Sequence, residues 1–410
     1  MMSTRPSNFV HKYSSDKLIK KDIIFFPMNS FENYNLILIN LDGLRRDKLD
    51  LSPVLANIKK TCYFFNRMNT VAPYTFASLH AIFSGTYPSK NGVNGYYNIL
   101  KFKDSEMTTI SSVLQHAGYY TCCDIIDKSV IPRQGFDEYN IFEEQSVNFT
   151  ERHSLLLKNL AKKNKKFFVF LHYTETHKQL VRKIVEKYDP KSNDDAYFNS
   201  REENERRYES HIPLCDEYLK TLLKTLTETG ILDNTILLIF SDHGTSLGEK
   251  KGEKFYGVYV YDYTIEVFTM LKIPHMTPKV IDTQCRTIDI FPTLVEIAGL
   301  DVNQIKQIQG QSLLNLTEDP SQPDREVFVE TGGLYGFWPS PNKPNVFCIK
   351  INDKKLIYND TPMTWEFYDL KQDPSELQNM YDANSPQVQF LKSRLLHYLK
   401  ENKIQTNITP

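Results

Sequence analysis

The chain has 410 residues, of which 40% are hydrophobic and 24% charged, and its formal net charge is -1. This balance is typical of a globular protein with a sizeable core, organised as one large domain with an appendage or as two domains. A nearly neutral chain has no bulk electrostatic attraction to nucleic acid or anionic lipid, so neither is an expected partner.

Residues 1–30 are predicted to form an N-terminal extension. The extension carries basic residues but no apolar run of signal-peptide length, and no stretch of the chain approaches the roughly 18 apolar residues of a membrane span. The six cysteines form no C-x-x-C pair and no zinc-type cluster with histidine. Scattered thiols of this kind are typical of reduced proteins. We therefore expect a cytoplasmic protein without a membrane span.

Three short apolar runs predict strands that are buried on both faces. The runs, with the polar residues that follow them, are Asn35–Leu41 before Asp42, Phe167–Leu171 before His172, and Thr235–Phe240 before Asp242 and His243. Amphipathic helical patterns over Met107–Ala117 and Tyr208–Thr227 lie between the runs. Strand and helix patterns in alternation predict an α/β doubly wound fold with a parallel sheet.

Open sheets of this class bind ligands at the carboxyl ends of their strands, so polar residues some 200 positions apart are expected to converge. Asp42 offers a carboxylate there, and Asp242 with His243 offers a carboxylate and an imidazole. Carboxylate oxygens suit hard divalent cations, and imidazole is acceptable to zinc or manganese. The alternative is that Asp-Gly and Asp-His-Gly are only turn residues.

The segment Val71–Val93 contains a proline turn, a helical stretch of small and apolar residues, and a Ser-Gly stop. Thr75 is predicted at the helix start, where backbone N–H groups and the helix dipole favour an alkoxide or a bound anion. An adjacent cation would activate its hydroxyl as a nucleophile. The local sequence alone favours an ordinary helix cap instead.

The sequence pattern changes near residue 301, after which only short strand candidates and one final helix are predicted. We predict a large unit over 31–300 and a small one over 301–410, the latter with strands at Glu326–Glu330, Val346–Ile351 and Lys355–Tyr358 and a final helix at Pro386–Glu401. The small unit is expected to be an antiparallel sheet with a helix. The highly charged segment Lys178–Arg207 is predicted to be a solvated insertion or a lid helix.

Several blocks occur together in one order along the chain: NLILINLDGLRRDKL, TFASLHAIFSGTYPSKNGV, LLIFSDHGTSLGEK, RTIDIFPTLVEIAGL and EFYDLKQDPSELQNM. On these blocks the chain resembles the sulfatase family of the alkaline-phosphatase superfamily over nearly its whole length. The resemblance implies a three-layer sandwich with a central, mostly parallel sheet, followed by a small C-terminal antiparallel sheet with a helix.

The resemblance also implies roles for individual residues. Asp42, Asp242 and His243 match the family's metal ligands. Thr75 falls on the position of its nucleophile, and His177 and Lys254 resemble its substrate-binding histidine and lysine.

Two departures from the family pattern bear on the chemistry. Thr75 stands where sulfatases carry the Cys or Ser of a C/S-x-P-x-R pattern, whose formylglycine hydrate ejects sulfate through its second hydroxyl. Threonine cannot react in that way, and it resembles the phosphodiesterase, phosphonate and phosphoethanolamine-transferase relatives. Gly43 stands where many sulfatases have a second Asp, which leaves a smaller ligand set.

These features predict one divalent metal ion, with a smaller ligand set than in sulfatases; zinc or manganese is favoured, and calcium is the alternative. The predicted ligands are Asp42, Thr75, Asp242 and His243. The other acid and imidazole groups near the strand ends do not have the spacing of a second metal set; they are His172, Glu175, His177 and His211.

The predicted function is hydrolysis or transfer of phosphate or sulfate esters through a covalent threonine intermediate, on a small-molecule, glycan or head-group substrate. One alternative is a sulfatase that works without formylglycine. Another is a non-catalytic binding protein that retains the sulfatase fold. The sequence does not predict the oligomeric state.

Overall fold

The computed structural model describes residues 31–176, 178, 197–253, 255–332 and 344–408. The predicted N-terminal extension and most of the charged segment between Lys178 and Arg207 therefore lie outside the described residues. Within the described ranges, none of the helices combines the length and the apolar content that crossing a bilayer requires. All six cysteines are buried and none forms a disulfide.

A large sheet forms the centre of the molecule. Its nine strands within the described ranges are β1 (Asn35–Leu41), β2 (Tyr63–Asn69), β3 (Tyr120–Ile125), β4 (Glu138–Ile141), β5 (Phe167–Tyr173), β6 (Thr235–Phe240), β7 (Glu266–Lys272), β8 (Lys279–Ile281) and β9 (Cys285–Arg286). The spatial order is β4-β3-β5-β1-β6-β7-β2-β8, with β9 beside β2. Every pair is parallel except those of β7, which runs antiparallel to β6 and β2. The predicted, mostly parallel sheet is confirmed.

Helices cover both faces of this sheet and explain why its strands are apolar without alternation. In β1, Leu36 and Leu38 belong to the core on one face, and Ile37 and Ile39 to the core on the other. A strand that is buried on both faces cannot place charged side chains at either, so its sequence is a continuous apolar run. The result is the predicted three-layer sandwich.

The helices that flank the large sheet are α1 (Pro53–Lys59), α2 (Thr75–Ser84), α3 (Pro88–Asn91), α4 (Ile110–His116), α5 (Phe149–Ala161), α6 (Arg201–Glu209), α7 (Ile212–Glu228), α8 (Asp262–Ile265), α9 (Ile290–Ile297) and α10 (Leu314–Glu318). Side chains of α2, α4 and α9 fill the core on one face, and side chains of α1, α5 and α7 fill the core on the other.

A second, four-stranded antiparallel sheet follows, built from β10 (Val327–Thr331), β11 (Val346–Ile351), β12 (Lys354–Asn359) and β13 (Thr364–Asp369) and packed against α11 (Pro386–Glu401). This confirms the predicted C-terminal sheet and helix. Leu313 and Leu316 still pack in the core of the large sheet, although they follow residue 300. The exact boundary between 300 and 301 stays a prediction.

The predicted elements differ from the observed ones in two informative places. Strand β5 continues two residues beyond Leu171, which brings His172 into the strand. The predicted helix Tyr208–Thr227 is in fact the end of α6 followed by α7, since Pro213 at the start of α7 has no N–H to continue a preceding helix.

Candidate active site

Strand order explains how residues about 200 positions apart form one site. Strands β1 and β6 are parallel neighbours, with Asn40 opposite Phe240. Asp42 and Asp242 therefore both leave the sheet at its carboxyl edge, side by side. The predicted convergence of Asp42, Asp242 and His243 is confirmed: each offers one ligand atom, and these atoms all lie within 4.8 Å of one another.

The imidazole of His243 is oriented for ligation. Its Nδ1 lies 2.8 Å from the carbonyl oxygen of Gly244, which can only accept a hydrogen bond. Nδ1 therefore carries the proton, and the lone pair of Nε2 points into the site. That nitrogen lies 3.6 Å from Oδ1 of Asp42 and 3.7 Å from Oδ2 of Asp242.

The two carboxylates are close together and fully buried, at 1% and 0% exposure. Burial, and then the like charge of Asp42, raise the pKa of Asp242 above its ordinary range. Oδ2 of Asp242 is buried and has no hydrogen-bond partner among the described residues. A cation would neutralise this charge and satisfy the oxygen, so the residues present fit a divalent metal ion.

Thr75 begins helix α2 and points its hydroxyl at the same place. Its Oγ1 lies 3.0 Å from Nε2 of His243 and 3.4 Å from Oδ2 of Asp42. Two parts of α2 hold the helix in this position. Ser78 donates a hydrogen bond to the carbonyl oxygen of Asp242 at 2.8 Å, and the helix ends at Gly85 in the left-handed region, at φ 65°. Thr75 is thus brought to the site by the packing of its helix; it is the first helical residue, and Tyr74 occupies the cap position that the local sequence favoured for Thr75.

Gly43 contributes its backbone where the family pattern has a second carboxylate. Its N–H donates to Oδ1 of Asp242 at 3.4 Å, and its φ is 69°. A Cβ at this position would lie 3.1 Å from Oγ1 of Thr245. The left-handed conformation and this close approach favour glycine, so an aspartate could not simply be restored here.

His172 lies next to the metal-site candidates, at the end of β5. Its Nε2 lies 2.8 Å from Oδ2 of Asp42. Sequence reasoning placed His172 near the site but assigned it no partner. The observed contact was missed because it depends on the two extra residues of β5 and on the register that sets His172 opposite Asn40.

Arg45 supports the loop that follows His243. Its guanidinium binds Asp47, the Glu249 carboxylate at 2.5 Å and the carbonyl oxygen of Thr245 at 2.9 Å. Arg45 is only 7% exposed, and its guanidinium is held by these partners, so its role is to stabilise the loop.

Aromatic rings line one side of the site. The ring of Tyr256 lies 4.4 Å from that of His243, and Tyr74, just before the nucleophile candidate, stacks on Tyr96 at 4.6 Å. These rings shield the imidazole and the start of α2, which strengthens electrostatic interactions there. The predicted substrate residues His177 and Lys254 lie outside the described residues, so their roles stay predictions.

Comparison with protein families gives two matches. The family model described as "Sulfatase" matches residues 34–300, and the model described as "N-sulphoglucosamine sulphohydrolase, C-terminal" matches residues 252–405. The first match alone covers more than half of the chain. It contains the four predicted metal ligands, Asp42, Thr75, Asp242 and His243.

Individual relatives agree with these matches. The chain is 30% identical to an N-acetylglucosamine-6-O-sulfatase of Bacteroides thetaiotaomicron over 187 residues, which are 43% of this chain and 32% of the relative. The matched part of the chain spans about a third of the length of the first curated relatives.

Two solved structures share the fold. A protein solved in complex with its substrate D-glucosamine-2-N,6-O-disulfate is 18% identical, with a TM-score of 0.72 over 90% of this chain and 98% of the other. A phosphonate monoester hydrolase of Agrobacterium radiobacter is 14% identical, with a TM-score of 0.72 over 90% and 96%. At these identities the likeness establishes the fold alone.

Proposed function

The chain belongs to the sulfatase family, and we propose that it hydrolyses sulfate or phosphate esters of a glycan through a covalent intermediate on Thr75. One observation carries the proposal. The hydroxyl of Thr75 lies at the start of a helix, 3.0 Å from an imidazole nitrogen and 3.4 Å from a buried carboxylate oxygen.

We propose that Asp42, Asp242 and His243, with the hydroxyl of Thr75, hold one divalent cation. A bound divalent cation lowers the pKa of a hydroxyl and stabilises negative charge on ester oxygens. The mixed oxygen and imidazole donors favour zinc or manganese, with calcium as the alternative.

In the first step, Oγ1 of Thr75 releases its proton to solvent and forms a bond to the sulfur or phosphorus of the ester while the bond to the alcohol oxygen breaks, and the departing alkoxide takes up a proton from solvent. The backbone N–H groups of the first turn of α2 are oriented to stabilise the negative oxygens of the transferred group. His177 and Lys254 are proposed to neutralise the charge of the leaving alcohol. Water then attacks the transferred group and releases Thr75; a sugar hydroxyl in place of water would make the enzyme a transferase.

The two ester classes are each supported by a different observation. Relatives named for sulfated sugars favour a sulfate ester of a glycan. Thr75 favours a phosphoester, because it lacks the second hydroxyl through which a formylglycine hydrate ejects sulfate. Both classes stay within the proposal, and a cytoplasmic location stays a prediction.

A substrate panel tests the proposal. We would measure turnover of 4-nitrophenyl sulfate, phosphate and phosphonate, and of glucosamine 6-sulfate and 6-phosphate, with added Mn²⁺, Zn²⁺ or Ca²⁺. We expect turnover of at least one substrate with at least one metal, and its loss in Thr75→Ala. Undiminished turnover in both Thr75→Ala and Asp242→Ala would contradict the mechanism. A protein that neither binds a divalent ion nor turns over any substrate would instead be a binding protein with the sulfatase fold.

A further inference from the structure

His172 is a fully buried imidazole that the proposed reaction steps do not use. Its Nε2 lies 2.8 Å from Oδ2 of Asp42, and it is 0% exposed. The same end of β5 also holds the backbone of Asp42, whose N–H donates to the carbonyl oxygen of Tyr173 at 3.0 Å. Two successive residues of β5 thus fix both the main chain and the side chain of one candidate ligand.

The two oxygens of Asp42 face different neighbours. Oδ2 lies beside His172 and, at 3.4 Å, beside the hydroxyl of Thr75. Oδ1 lies 3.6 Å from Nε2 of His243, on the side of the metal-ligand candidates. Because an ionised carboxylate only accepts hydrogen bonds, His172 donates through Nε2–H, and this bond opposes rotation of the carboxylate about its terminal torsion.

From this division of the two oxygens we infer that His172 is a positioning residue, which fixes the carboxylate of Asp42 so that Oδ1 is presented to the metal ion. His172 stands outside the set of mutually close donor atoms, which among the described residues comprises Asp42, Asp242 and His243. The inference rests on the proposed function, since it concerns the same metal site.

The departure at Gly43 makes this role more important. Where a second carboxylate would stand, the chain offers only the N–H that donates to Asp242. Fewer carboxylates remain to hold the ion, so the orientation of Asp42 has more influence on affinity. Hydrogen bonds from outside the ligand set commonly control metal affinity by about 10–100-fold.

Two variants distinguish the effect of the hydrogen bond on metal binding from the effect of the ring volume. His172→Phe keeps a ring in the cavity but has no N–H, whereas His172→Gln places an amide donor near the position of Nε2. We would titrate each protein with Mn²⁺ alone and follow free and bound ion by electron paramagnetic resonance. We expect His172→Phe to weaken Mn²⁺ binding by about 10–100-fold. His172→Gln should recover most of that loss.

His153→Phe is the matched control. His153 is also fully buried and lies beside a strand-end carboxylate, 3.3 Å from Asp124, but it contacts neither Asp42 nor Asp242 in the described structure. Its variant should keep wild-type affinity for Mn²⁺. Thermal unfolding in the presence of a chelator checks that each variant is folded. If His172→Phe does not fold, His172→Asn, whose shorter amide stops short of Asp42, replaces it.

Activity provides a second readout. At saturating Mn²⁺, the KM for the ester should stay near the wild-type value in His172→Phe, while the Mn²⁺ concentration for half-maximal rate rises. Unchanged Mn²⁺ affinity in His172→Phe would overturn the inference, and so would equal losses in the Phe and Gln variants.

The Asp242→Ala variant separates this inference from the proposed function. If Asp242→Ala abolishes Mn²⁺ binding while His172→Phe retains it, only the role of His172 is wrong. If the wild-type protein binds no Mn²⁺ and turns over no ester, the proposed function fails, and the inference fails with it.

Discussion

Two buried clusters of charged side chains in this protein differ in their partners: among the described ion pairs, one pairs its carboxylates with imidazoles, and the other pairs them with lysines. At the carboxyl edge of the large sheet, the ion pairs that the described residues give to Asp42 and Asp242 are with imidazoles. Between the two sheets, Asp262 lies 2.8 Å from Nζ of Lys350 and 2.9 Å from Nζ of Lys355. Lys355 also lies 2.7 Å from Glu376.

The carboxyl pKa values differ accordingly. At the site, burial and the like charge of Asp42 raise the pKa of Asp242. In the second cluster burial also opposes ionisation and raises the pKa of Glu376 to about 7, but Lys350 and Lys355 hold the pKa of Asp262 well below its ordinary range. The second cluster therefore supplies its own positive charge and joins the two sheets, whereas the carboxylates of the first have no lysine or arginine partner among the described ion pairs and fit the proposed metal ion.

The largest expected effect comes from removing one charge of the site. Asp242→Asn should lower kcat/KM by about 10³-fold or more, which corresponds to about 4 kcal/mol of transition-state stabilisation, because the substituted amide is a poor metal ligand. Its metal-free form should be at least as stable as the wild type, since the repulsion from Asp42 is relieved. Asp262→Asn is the matched control and should lose stability but keep metal binding. Equal metal affinity in Asp242→Asn and wild type would break the distinction between the clusters.

Removing a lysine from the second cluster should lower the free energy of unfolding. Lys355→Met leaves Asp262 and Glu376 with an uncompensated buried charge, and we expect a loss of about 3–5 kcal/mol in the free energy of unfolding. Lys354→Met, on the same strand, loses only a more exposed pair with Asp369, which is worth about 1 kcal/mol or less. Denaturant unfolding of both variants measures the difference. Similar losses in the two variants would show that the buried cluster is not a distinct stabilising element.

Metal binding should stabilise only a protein with an intact site. At 100–1,000 times its dissociation constant, a bound ion adds about 2.7–4.1 kcal/mol to the free energy of unfolding. The gain should disappear in Asp242→Asn and persist in Lys355→Met. Thermal unfolding with and without chelator measures it, and a gain of the same size in Asp242→Asn would place the ion elsewhere.

Glu253 is a buried acid that belongs to neither cluster, and the expected effect of changing it is smaller. Burial raises its pKa to about 7 from an ordinary 4.5, although the N–H groups of Val258 and Tyr259 donate to it. Between pH 4.5 and 7 the folded protein therefore holds a proton that the unfolded chain has released, so this group lowers stability as pH rises.

Glu253→Gln keeps an acceptor for both N–H groups and removes the titration. Relative to this variant, the wild type should lose up to about 3 kcal/mol between pH 4.5 and 7. Denaturant unfolding at several pH values measures the difference. Parallel stability profiles for the two proteins would mean that Glu253 does not titrate in this range.

Much of the sheet could be predicted, because strands covered on both faces are continuous apolar runs. Strands β1 and β6 end where the sequence predicts, and the rule that parallel strands present ligands at their carboxyl ends brings Asp42 and Asp242 together. The role of Thr75 came from the resemblance to the family and not from the local sequence, which favours an ordinary helix cap.

Contacts that depend on register and on distant elements could not be predicted. The bond from His172 to Asp42 requires β5 to extend beyond its apolar run. The cluster around Asp262 joins α8 to β11 and β12, whose lysines lie 88 and 93 residues later in the chain. Lysines on a short strand normally indicate a solvent-facing side. Such pairings are decided by how the two sheets pack, which no local pattern records.

The most direct test of the site is to trap the intermediate. The metal-loaded protein would be mixed with its best ester substrate, quenched with acid within one turnover, digested and analysed by mass spectrometry. The mechanism predicts a sulfo or phospho group on Thr75, absent without metal and in Asp242→Asn. Rapid turnover with Thr75 unmodified at every quench time, together with full activity of Thr75→Ala, would contradict it.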